Sequence, residues 1–584
     1  RWVNELRFQY AYRDQVVRSL DPACGGDCLR SDQGGPTLEV TGFASVGRQR
    51  FTPQTRTNAL WQVVDTVSLT TGAHLIKAGI DFSYTDDRTD GPVLPLHFGG
   101  RYVFQQLPAI PGLLPAPVNP IQAVALGLPA AYVQGYGVDR DLYSSSNVAL
   151  FVQDDWQLGS RVTVKYGVRY QNQFWKDLSY RTAGYPGTFA FPKDGNNFAP
   201  RAAVSWDPAG DRKTSIHGAF GLFFENHITS IAAITDLLDG DDHIRTLVRT
   251  FPASLAAWAA PGHRLPESAV GAFPTLKFLI DPGLASPYAR HASIGIDREL
   301  PGAIAVAANF VYARGFNQIG TIDYNPVVSS LGPGRRPEDV GGVAGTSASI
   351  LQYTTFGETW YNGLTVSLNK RYTNGYQFLV AYPLSEAEDN STDFQSAFIP
   401  QQNGVGRNPG DLDGLPTGFN PLSERGPSTQ DQRHRLVASG VYTAPGNVQL
   451  SAIITVGSGR PYTILAGADL NGDGNGGAFP PDRARGDITS EASSVDRNSG
   501  TMPSQAVVDM RVSRRFRMGS RAYVEGIFEL FNLFNRTNFI ETNNLSPAFI
   551  WGTGAYPASP LPNFGHFTQA GPPRQAQLAV KVAF

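Results

Sequence analysis

Short and long connections alternate between sixteen strand-like stretches, and this is the strongest constraint in the sequence. In each stretch apolar and polar residues alternate with a period of two, which predicts a β-strand with one apolar face. The stretches lie near residues 3–12, 59–69, 74–85, 146–158, 161–174, 199–207, 213–225, 288–299, 303–313, 360–372, 375–386, 433–443, 447–457, 505–516, 520–531 and 574–584. Seven connections are tight, with turn residues such as Pro301-Gly302 and Asn374-Gly375, and the other eight are long. This alternation predicts an antiparallel sheet with its turns at one side and its loops at the other.

The two faces of each predicted strand differ in polarity. In residues 161–171, one face consists of Val162, Val164, Tyr166, Val168 and Tyr170. A strand in a bilayer needs an apolar face towards lipid, whereas a face towards a lumen can be polar. Four tryptophans lie near strand ends, as interfacial residues do: Trp61, Trp156, Trp206 and Trp360. The alternative is a large soluble sheet with one wet face, but such a sheet rarely places aromatic residues at both ends of its strands.

These patterns predict an all-β fold, a transmembrane antiparallel β-barrel in the outer membrane of a Gram-negative bacterium. The chain contains no run of 18 apolar residues, so no transmembrane helix is predicted. Residues 1–584 are predicted to form one barrel domain with long extracellular loops. The loops span about residues 13–58, 86–145, 175–198, 226–287, 314–359, 387–432, 458–504 and 532–573. The chain opens within a strand pattern, without a signal peptide or initiator Met, so we expect an N-terminally truncated barrel.

The last strand has the features of a barrel-assembly signal. Leu578, Val580, Val582 and Phe584 share one face, and the chain ends on the aromatic residue. An amphipathic strand with free backbone groups along one edge can be recognised by strand pairing. We therefore predict the barrel-assembly machinery and outer-membrane lipid as partners.

Charge and motifs argue against several other functions. The net charge of −2 gives no reason to expect nucleic acid as a partner. No His-Glu-x-x-His motif, phosphate-binding loop or nucleophile elbow is present, so no enzyme is predicted and no cofactor is required. Arg169, Arg201, Glu525 and Glu529 lie on polar faces by phase, and we predict that they face the lumen. The simplest role for each is a wall residue in contact with water or a plug.

Two loops hold residues with binding chemistry. Four oxygen ligands occupy positions 1, 3, 5 and 7 of a calcium-type loop: Asp469, Asn471, Asp473 and Asn475. Asp482 would have to replace the Glu that is absent from position 12, and the alternative is a plain Asn/Asp/Gly turn. Cys24 and Cys28 predict a small disulfide-closed loop of an exported protein, with two free thiols as the alternative.

Several segments, in this order, resemble the barrel signatures of TonB-dependent transporters of the Oar-like family. They are His74–Gly79, Phe151–Trp156 with Tyr166–Tyr170, Asn197–Arg201 with Trp206–Pro208, Tyr361–Val366, Asp431–Arg435, Ser458–Tyr462, and Glu529–Asn535 with Thr537–Phe539. The resemblance implies a 22-stranded barrel preceded by a plug and by a carboxypeptidase-regulatory-like domain. Counted back from Phe584, the sixteen strands would be the last sixteen. The plug, the TonB-contacting segment and about six strands would then precede this chain.

The resemblance implies uptake of a solute that the long loops capture and that TonB, acting on the plug, admits to the lumen. A siderophore, an oligosaccharide and a peptide are all compatible with the sequence. The alternatives are a surface or adhesion barrel that only displays its loops, and a passive 16-stranded porin. One residue departs from the strand pattern: Pro383 should end its strand early or bulge it, because proline removes a ladder donor.

Overall fold

The computed structural model describes most of the chain. The described residues are 1–21, 26–28, 34–41, 43–49, 52–88, 98–110, 112, 114–137, 142–176, 191–238, 244–269, 277–326, 328, 331–332, 335–344, 346–390, 424–468, 470, 482–519, 522–541 and 546–584.

All sixteen predicted strands are present, which confirms the all-β prediction. They are β1 (Trp2–Val17), β2 (Gln54–Thr71), β3 (His74–Arg88), β4 (Leu142–Leu158), β5 (Val162–Trp175), β6 (Phe198–Trp206), β7 (Thr214–Phe224), β8 (Tyr288–Leu300), β9 (Ile304–Asp323), β10 (Ile350–Thr373), β11 (Tyr376–Asp389), β12 (Arg435–Ala444), β13 (Val448–Gly457), β14 (Gln505–Met518), β15 (Ala522–Phe531) and β16 (Gln575–Ala583). Each strand pairs antiparallel with its neighbours in chain order. The strands Lys277–Ile280 and Gly426–Pro427 extend this sheet, which thus has 18 strands.

The sheet has two open edges. Among the described residues, β1 forms a ladder with β2, and β16 forms one with β15, but no ladder joins β1 to β16. The side chains next to these edges are correspondingly accessible: Leu6 on β1 and Leu578 on β16 are 68% and 81% exposed. The sixteen strands therefore do not close on themselves.

The tight turns adopt the left-handed backbone that their residues predict. Between β10 and β11, Asn374 and Gly375 have φ angles of 55° and 85°. Between β12 and β13, Gly446 and Asn447 have φ angles of 80° and 60°. Positive φ angles at two successive residues give a hairpin turn whose twist matches that of the flanking strands, and Asn and Gly adopt them most easily.

Pro383 does not end its strand, so that prediction is wrong. Strand β11 continues to Asp389, and its register with β10 passes through the pair Pro383 and Thr365 without a shift. On the other side, the ladder with β12 stops at Ala381 and resumes in a single bridge at Leu384. Proline lacks the one backbone N–H that would point towards β12. It therefore interrupts the β12 ladder and leaves the β10 ladder intact.

Three long loops form a second sheet beyond the barrel strands. Its strands, in spatial order, are Ile244–Thr250, Ala131–Gly137, Arg101–Phe104, Thr37–Val40 and Ala44–Val46. The described part of the chain also has α-helices α1 (Pro120–Ala125), α2 (Thr229–Leu237) and α3 (Ser254–Ala259), with 3₁₀ turns at Pro261–His263, Glu267–Ala269, Val340–Gly342, Glu491–Ser493 and Pro547–Phe549, and short strands at Ser19–Asp21, Gly26–Cys28, Pro461–Tyr462 and Gly500–Thr501. Helix α1 is N-capped by Asn119, whose side chain accepts a hydrogen bond from the backbone N–H of Gln122 in a capping box. None of these described helices is both long and apolar enough to cross a membrane.

The second sheet has an aromatic core of its own. The buried residues are Tyr102, Phe104, Ala123, Tyr132, Leu247 and Ala257. The indole of Trp258, from α3, meets the rings of Tyr102 and Phe104 edge-on at 5.0 and 5.3 Å between centroids. We call the five-stranded sheet with α1 and α3 the loop domain. Its core shows that these loops are folded, which the turn-rich sequence does not suggest.

Two further clusters organise the remaining loops. The first contains Phe98, Phe191, Ile231, Ala232, Ile234, Leu238, Phe278, Ile280, Leu284, Ile319, Leu351 and Tyr353. The second contains Tyr462, Ile464, Ala484, Ala548, Phe549 and Trp551. Helix α2 contributes to the first cluster, while the second joins the connection after β13 to the connection after β15. The described loops thus pack into compact units at one end of the sheet.

The loop-domain core provides a test of whether the loops fold as described. Phe104→Ala should destabilise the loop domain by about 3–5 kcal/mol, because it removes a fully buried ring and leaves a cavity. Phe43→Ala is the matched control, since Phe43 is 65% exposed, and it should change stability by about 0.5 kcal/mol or less. Limited proteolysis of the protein in outer membranes measures this difference, and heat-dependent electrophoretic migration reports on the barrel. Equal proteolysis of the two variants would contradict a packed loop domain.

Candidate functional site

The sheet separates side chains into an apolar and a polar face. Opposite residues in neighbouring strands share a face, so the ladders extend the assignment from strand to strand. The apolar face includes Leu150, Val168, Phe220 and Ile294, which are exposed. Arg169, Arg201, Glu525 and Glu529 all lie on the opposite, polar face. The sequence phase therefore places these four residues on the face that would line a lumen.

Arg169 and Arg201 contribute to a polar and aromatic patch on β3 to β8. The guanidinium of Arg169 lies 3.6 Å from the carboxylate of Asp81. Arg201 lies over the ring of Phe223, 4.2 Å from its centroid, and that ring contacts His291 at 5.0 Å between centroids. Cationic, anionic and π-rich groups thus occur together on one part of the wall. Such a surface can hold a polar solute through charge-assisted hydrogen bonds and ring stacking.

Glycines on the polar face allow large side chains to lie flat on the wall. A Cβ at Gly79 would come within 2.7 Å of the ring of Phe151, and one at Gly221 within 3.1 Å of the side chain of Arg201. Any larger residue would push these side chains away from the sheet. The glycines therefore position the polar-face groups, and this role could be inferred from sequence only once the strand register was known.

Glu525 and Glu529 belong to a charged column on β14 to β16. Arg515 lies 3.2 Å from the carboxylate of Glu525, and Arg511 lies 3.7 Å from that of Glu529. Lys581 on β16 is directly opposite Glu525. The Glu525 side chain is buried and paired with Arg515. It therefore stabilises the contact between β14 and β15 and is not available as a free charge to a solute. Arg515 is more than half exposed and is the accessible member of the column.

A third polar group on this face is centred on His217. His217 Nε2 lies 2.9 Å from Asn309 Oδ1, and Nδ1 lies 3.3 Å from a carboxylate oxygen of Asp297. This bridge passes over Gly295, where a Cβ would approach Asn309 Oδ1 to 2.0 Å. The cluster spans β7, β8 and β9. Its partners become visible only in the three-strand register, which the sequence alone does not specify.

Buried arginines join the loops to the end of the sheet. The side chain of Arg497 is fully buried; it forms an ion pair with Asp389 at the end of β11 and donates to the backbone oxygen of Glu424 at 2.7 Å. Arg483 donates to the Glu424 carboxylate at 2.9 Å. Sequence reasoning missed this cluster, since 108 residues separate Arg497 from Asp389. Charges buried this deeply require their partners, so the cluster fixes the loop positions.

Of the five predicted calcium ligands, only Asp482 lies within the described residues. Asp469, Asn471, Asp473 and Asn475 lie outside the described residues. Asp482 Oδ2 accepts hydrogen bonds from the backbone N–H of Leu470 at 2.8 Å and from Arg485 at 3.0 Å. This oxygen is thus engaged by donors, which fits a cation poorly. In the part of the chain that the structure describes, no cluster of three His, Cys, Asp or Glu residues could hold a metal ion. Calcium binding by the loop stays a prediction.

The remaining predicted sites are the disulfide and the C-terminal strand. Cys24 is outside the described residues, and Cys28 ends the short strand Gly26–Cys28, which pairs with Ser19–Asp21. The disulfide stays a prediction. Leu578, Val580 and Val582 lie on the apolar face of β16, and Phe584 follows that strand fully exposed. The free edge of β16 meets the geometric requirement for recognition by strand pairing.

One histidine is buried among the loops. His227, between β7 and α2, contacts the ring of Phe191 at 5.3 Å between centroids, and its Nδ1 has no hydrogen-bond partner among the described residues. Burial in these surroundings lowers the pKa of His227 to about 4. A proton on this ring would therefore oppose the local packing.

Comparison with known proteins agrees with the fold. Residues 1–577 match the family described as outer membrane beta barrel domain, so the chain belongs to that family. Membership confirms the predicted location in the outer membrane of a Gram-negative bacterium. The comparison with curated proteins returned no match.

Solved structures of outer-membrane transporters and receptors share the fold. The outer membrane transporter YddB from Escherichia coli matches with a TM-score of 0.56 and 12% identity, over 100% of this chain and 61% of that one. The ferric enterobactin receptor PfeA from Pseudomonas aeruginosa, in complex with BCV-L6, matches with a TM-score of 0.51 and 11% identity, over 100% of this chain and 60% of that one. The chain thus spans about three fifths of the length of either protein.

The buried arginine cluster gives a prediction for loop stability. Arg497→Ala should destabilise the packing of residues 482–504 against the end of β11 by about 3–5 kcal/mol, because it leaves the buried carboxylate of Asp389 without its cation. Arg371→Ala is the control: Arg371 pairs with Glu299 in solvent, and its loss should cost less than about 1 kcal/mol. The rate of protease cleavage within residues 482–504 measures the effect. If both variants are cleaved at the wild-type rate, the cluster does not hold the loops.

His227 gives a prediction for pH dependence. The folded protein keeps His227 neutral down to about pH 4, whereas the unfolded chain binds a proton near pH 6.5. His227 therefore leaves the free energy of unfolding unchanged above about pH 7. Its contribution lowers that free energy as the pH drops from 6.5 towards 4, by about 2 kcal/mol at pH 5. Amide hydrogen exchange in α2 measures this loss. His227→Gln should flatten the dependence, and the exposed control His263→Gln should not. An unchanged pH dependence in His227→Gln would contradict the assignment.

Proposed function

We propose that this chain is the barrel of a TonB-dependent transporter of the Oar-like family, which takes up a solute captured by its extracellular loops. The single observation that carries the proposal is the open sheet. Sixteen antiparallel strands leave the outer edges of β1 and β16 without ladder partners among the described residues. Exposed strand edges do not occur in the hydrocarbon region of a membrane, because their peptide groups would lack hydrogen bonds. Further strands between these edges would satisfy them.

The lengths of the similar transporters support this assignment. The chain corresponds to 61% of YddB and to 60% of PfeA, so either protein has room for additional strands and a plug. A passive porin of sixteen strands would need a ladder between β1 and β16, and the described residues do not form one. We therefore propose residues 1–584 as an N-terminally truncated barrel domain. The plug and the TonB-contacting segment would lie in a preceding part of the protein.

The polar face supplies a route for a polar solute. Asp81 with Arg169, and Arg201 with Phe223, offer both charge signs and an aromatic surface on one side of the wall. Arg515 on β14 offers an accessible cation on another part of the wall. The folded loops form an entrance whose shape is fixed by aromatic cores and buried ion pairs. PfeA is a receptor for ferric enterobactin, and for this chain a siderophore, an oligosaccharide and a peptide are all compatible with the wall chemistry.

Uptake by intact cells tests the function. Cells with and without the complete gene would be supplied with ferric enterobactin, maltodextrins and a tripeptide mixture, and depletion of each probe from the medium would be measured. The proposal predicts that gene loss abolishes high-affinity depletion of one probe class, and that TonB depletion has the same effect. Uptake that depends on the gene but not on TonB would contradict the energised mechanism. Uptake of every probe that is unchanged by gene loss would contradict transport of these classes.

A further inference from the structure

An arginine and aromatic row crosses the apolar face near the loop end of the sheet. Arg290 on β8, Arg314 on β9, Trp360 on β10 and Glu388 on β11 lie directly opposite one another in successive ladders. The same face carries exposed apolar side chains nearer the turns: Ile294, Phe310 and Leu364. Charged residues on this face are costly within the hydrocarbon region, so this row needs an explanation.

Two of the arginines converge on a single ring. The guanidinium carbons of Arg290 and Arg314 lie 4.6 and 4.8 Å from the centroid of Phe316. The ring of Tyr288 stacks on Phe316 at 4.9 Å with an interplanar angle of 15°, and Phe224 stacks on Tyr288 at 5.3 Å. We call these three stacked rings the platform; its end ring, Phe316, contacts both guanidinium groups. A guanidinium group stacked on a ring keeps its in-plane N–H donors available to a ligand, and Arg290 has only one printed contact, from Nη2 to the Tyr288 hydroxyl.

The charges of the row are not balanced. Arg314 pairs with Glu358 at 2.7 Å, and the nearby Arg433 pairs with Glu386 at 2.8 Å. Arg425 pairs with Glu388. Arg290 has no carboxylate partner among the described residues, and its hydrogen bond runs to the Tyr288 hydroxyl at 3.4 Å. The row and the residues that pair beside it thus comprise four arginines and three glutamates, which leaves one net positive charge. Like charges directly opposite each other in a ladder destabilise it, so Arg290 beside Arg314 favours an anion between them.

The position of the row identifies the layer of the membrane that it meets. Arg290 is ten residues before Leu300, where β8 reaches its tight turn. Ten residues of a tilted strand rise roughly 25 Å, which is the height of the apolar band of such barrels. The row therefore lies at the membrane–water interface on the side of the long loops, where it meets the outer leaflet. Arg298, on the same strand and face, lies at the opposite interface.

We propose that Arg290 and Arg314 bind a phosphate group of an outer-leaflet glycolipid, with the Phe224, Tyr288 and Phe316 platform behind them. Guanidinium groups bind phosphate through paired, charge-assisted hydrogen bonds. The apolar side chains towards the turns would contact the acyl chains of the same molecule. These contacts distinguish a lipid from free phosphate, which has no apolar part. Transport of a solute does not enter this proposal.

Binding of purified lipid tests the proposal. The complete protein would be purified in detergent and titrated with bisphosphorylated lipid A, with lipid A lacking both phosphates, and with inorganic phosphate, while native mass spectrometry counts the bound molecules. Arg290→Gln should weaken binding of bisphosphorylated lipid A roughly tenfold, because it removes a charge-assisted contact. It also leaves no carboxylate without a partner. Arg290→Lys, which keeps the charge but not the planar fork, should weaken binding less.

The control is Arg298→Gln, on the same strand and face at the opposite interface, and it should bind lipid A as the wild type does. Heat-dependent electrophoretic migration confirms that each variant is folded. Three results would overturn the proposal: equal lipid binding by Arg290→Gln and wild type, equal losses in Arg290→Gln and Arg298→Gln, or equally tight binding of the dephosphorylated lipid. Binding of inorganic phosphate as tight as that of lipid A would assign the site to a free anion instead.

Discussion

The antiparallel backbone ladder is the constraint on which the rest of this structure depends. A bilayer offers no hydrogen bonds to peptide groups, so each strand must have a partner on both sides. The ladder also fixes which face each side chain occupies, because its period is two. It thereby places Arg169 and Glu529 on the polar face and Leu150 and Ile294 on the apolar face. Among the described residues, the outer edges of β1 and β16 lack such a partner.

The loops depend on the ladder in a different way. The sheet holds the ends of eight long connections at one side, and this brings distant segments close enough to form common cores. The loop domain combines strands from three connections around Tyr102 and Phe104. Arg497 reaches Asp389 at the end of β11 and is sealed from solvent there. The loop side of the sheet is therefore a packed structure rather than a set of independent loops.

The strands could be predicted from sequence because alternation is a local signal. The polar-face positions of Arg201 and Glu525 followed from the same phase. The loop domain could not be predicted in this way, since its strands Thr37–Val40 and Arg101–Phe104 are short and pair across distant segments. The ion pair of Arg497 is equally non-local. The effect of Pro383 could not be predicted, because it depends on which neighbouring strand would receive the lost hydrogen bond, and the sequence does not reveal that.

A strand count of the complete protein tests the central claim most directly. Electron cryomicroscopy of the protein purified from outer membranes would show what pairs with the free edges of β1 and β16. We expect additional strands between these edges, so that every edge is paired and the barrel is larger than sixteen strands. A continuous ladder between β1 and β16 in the complete protein would contradict this account and would favour a closed sixteen-stranded channel.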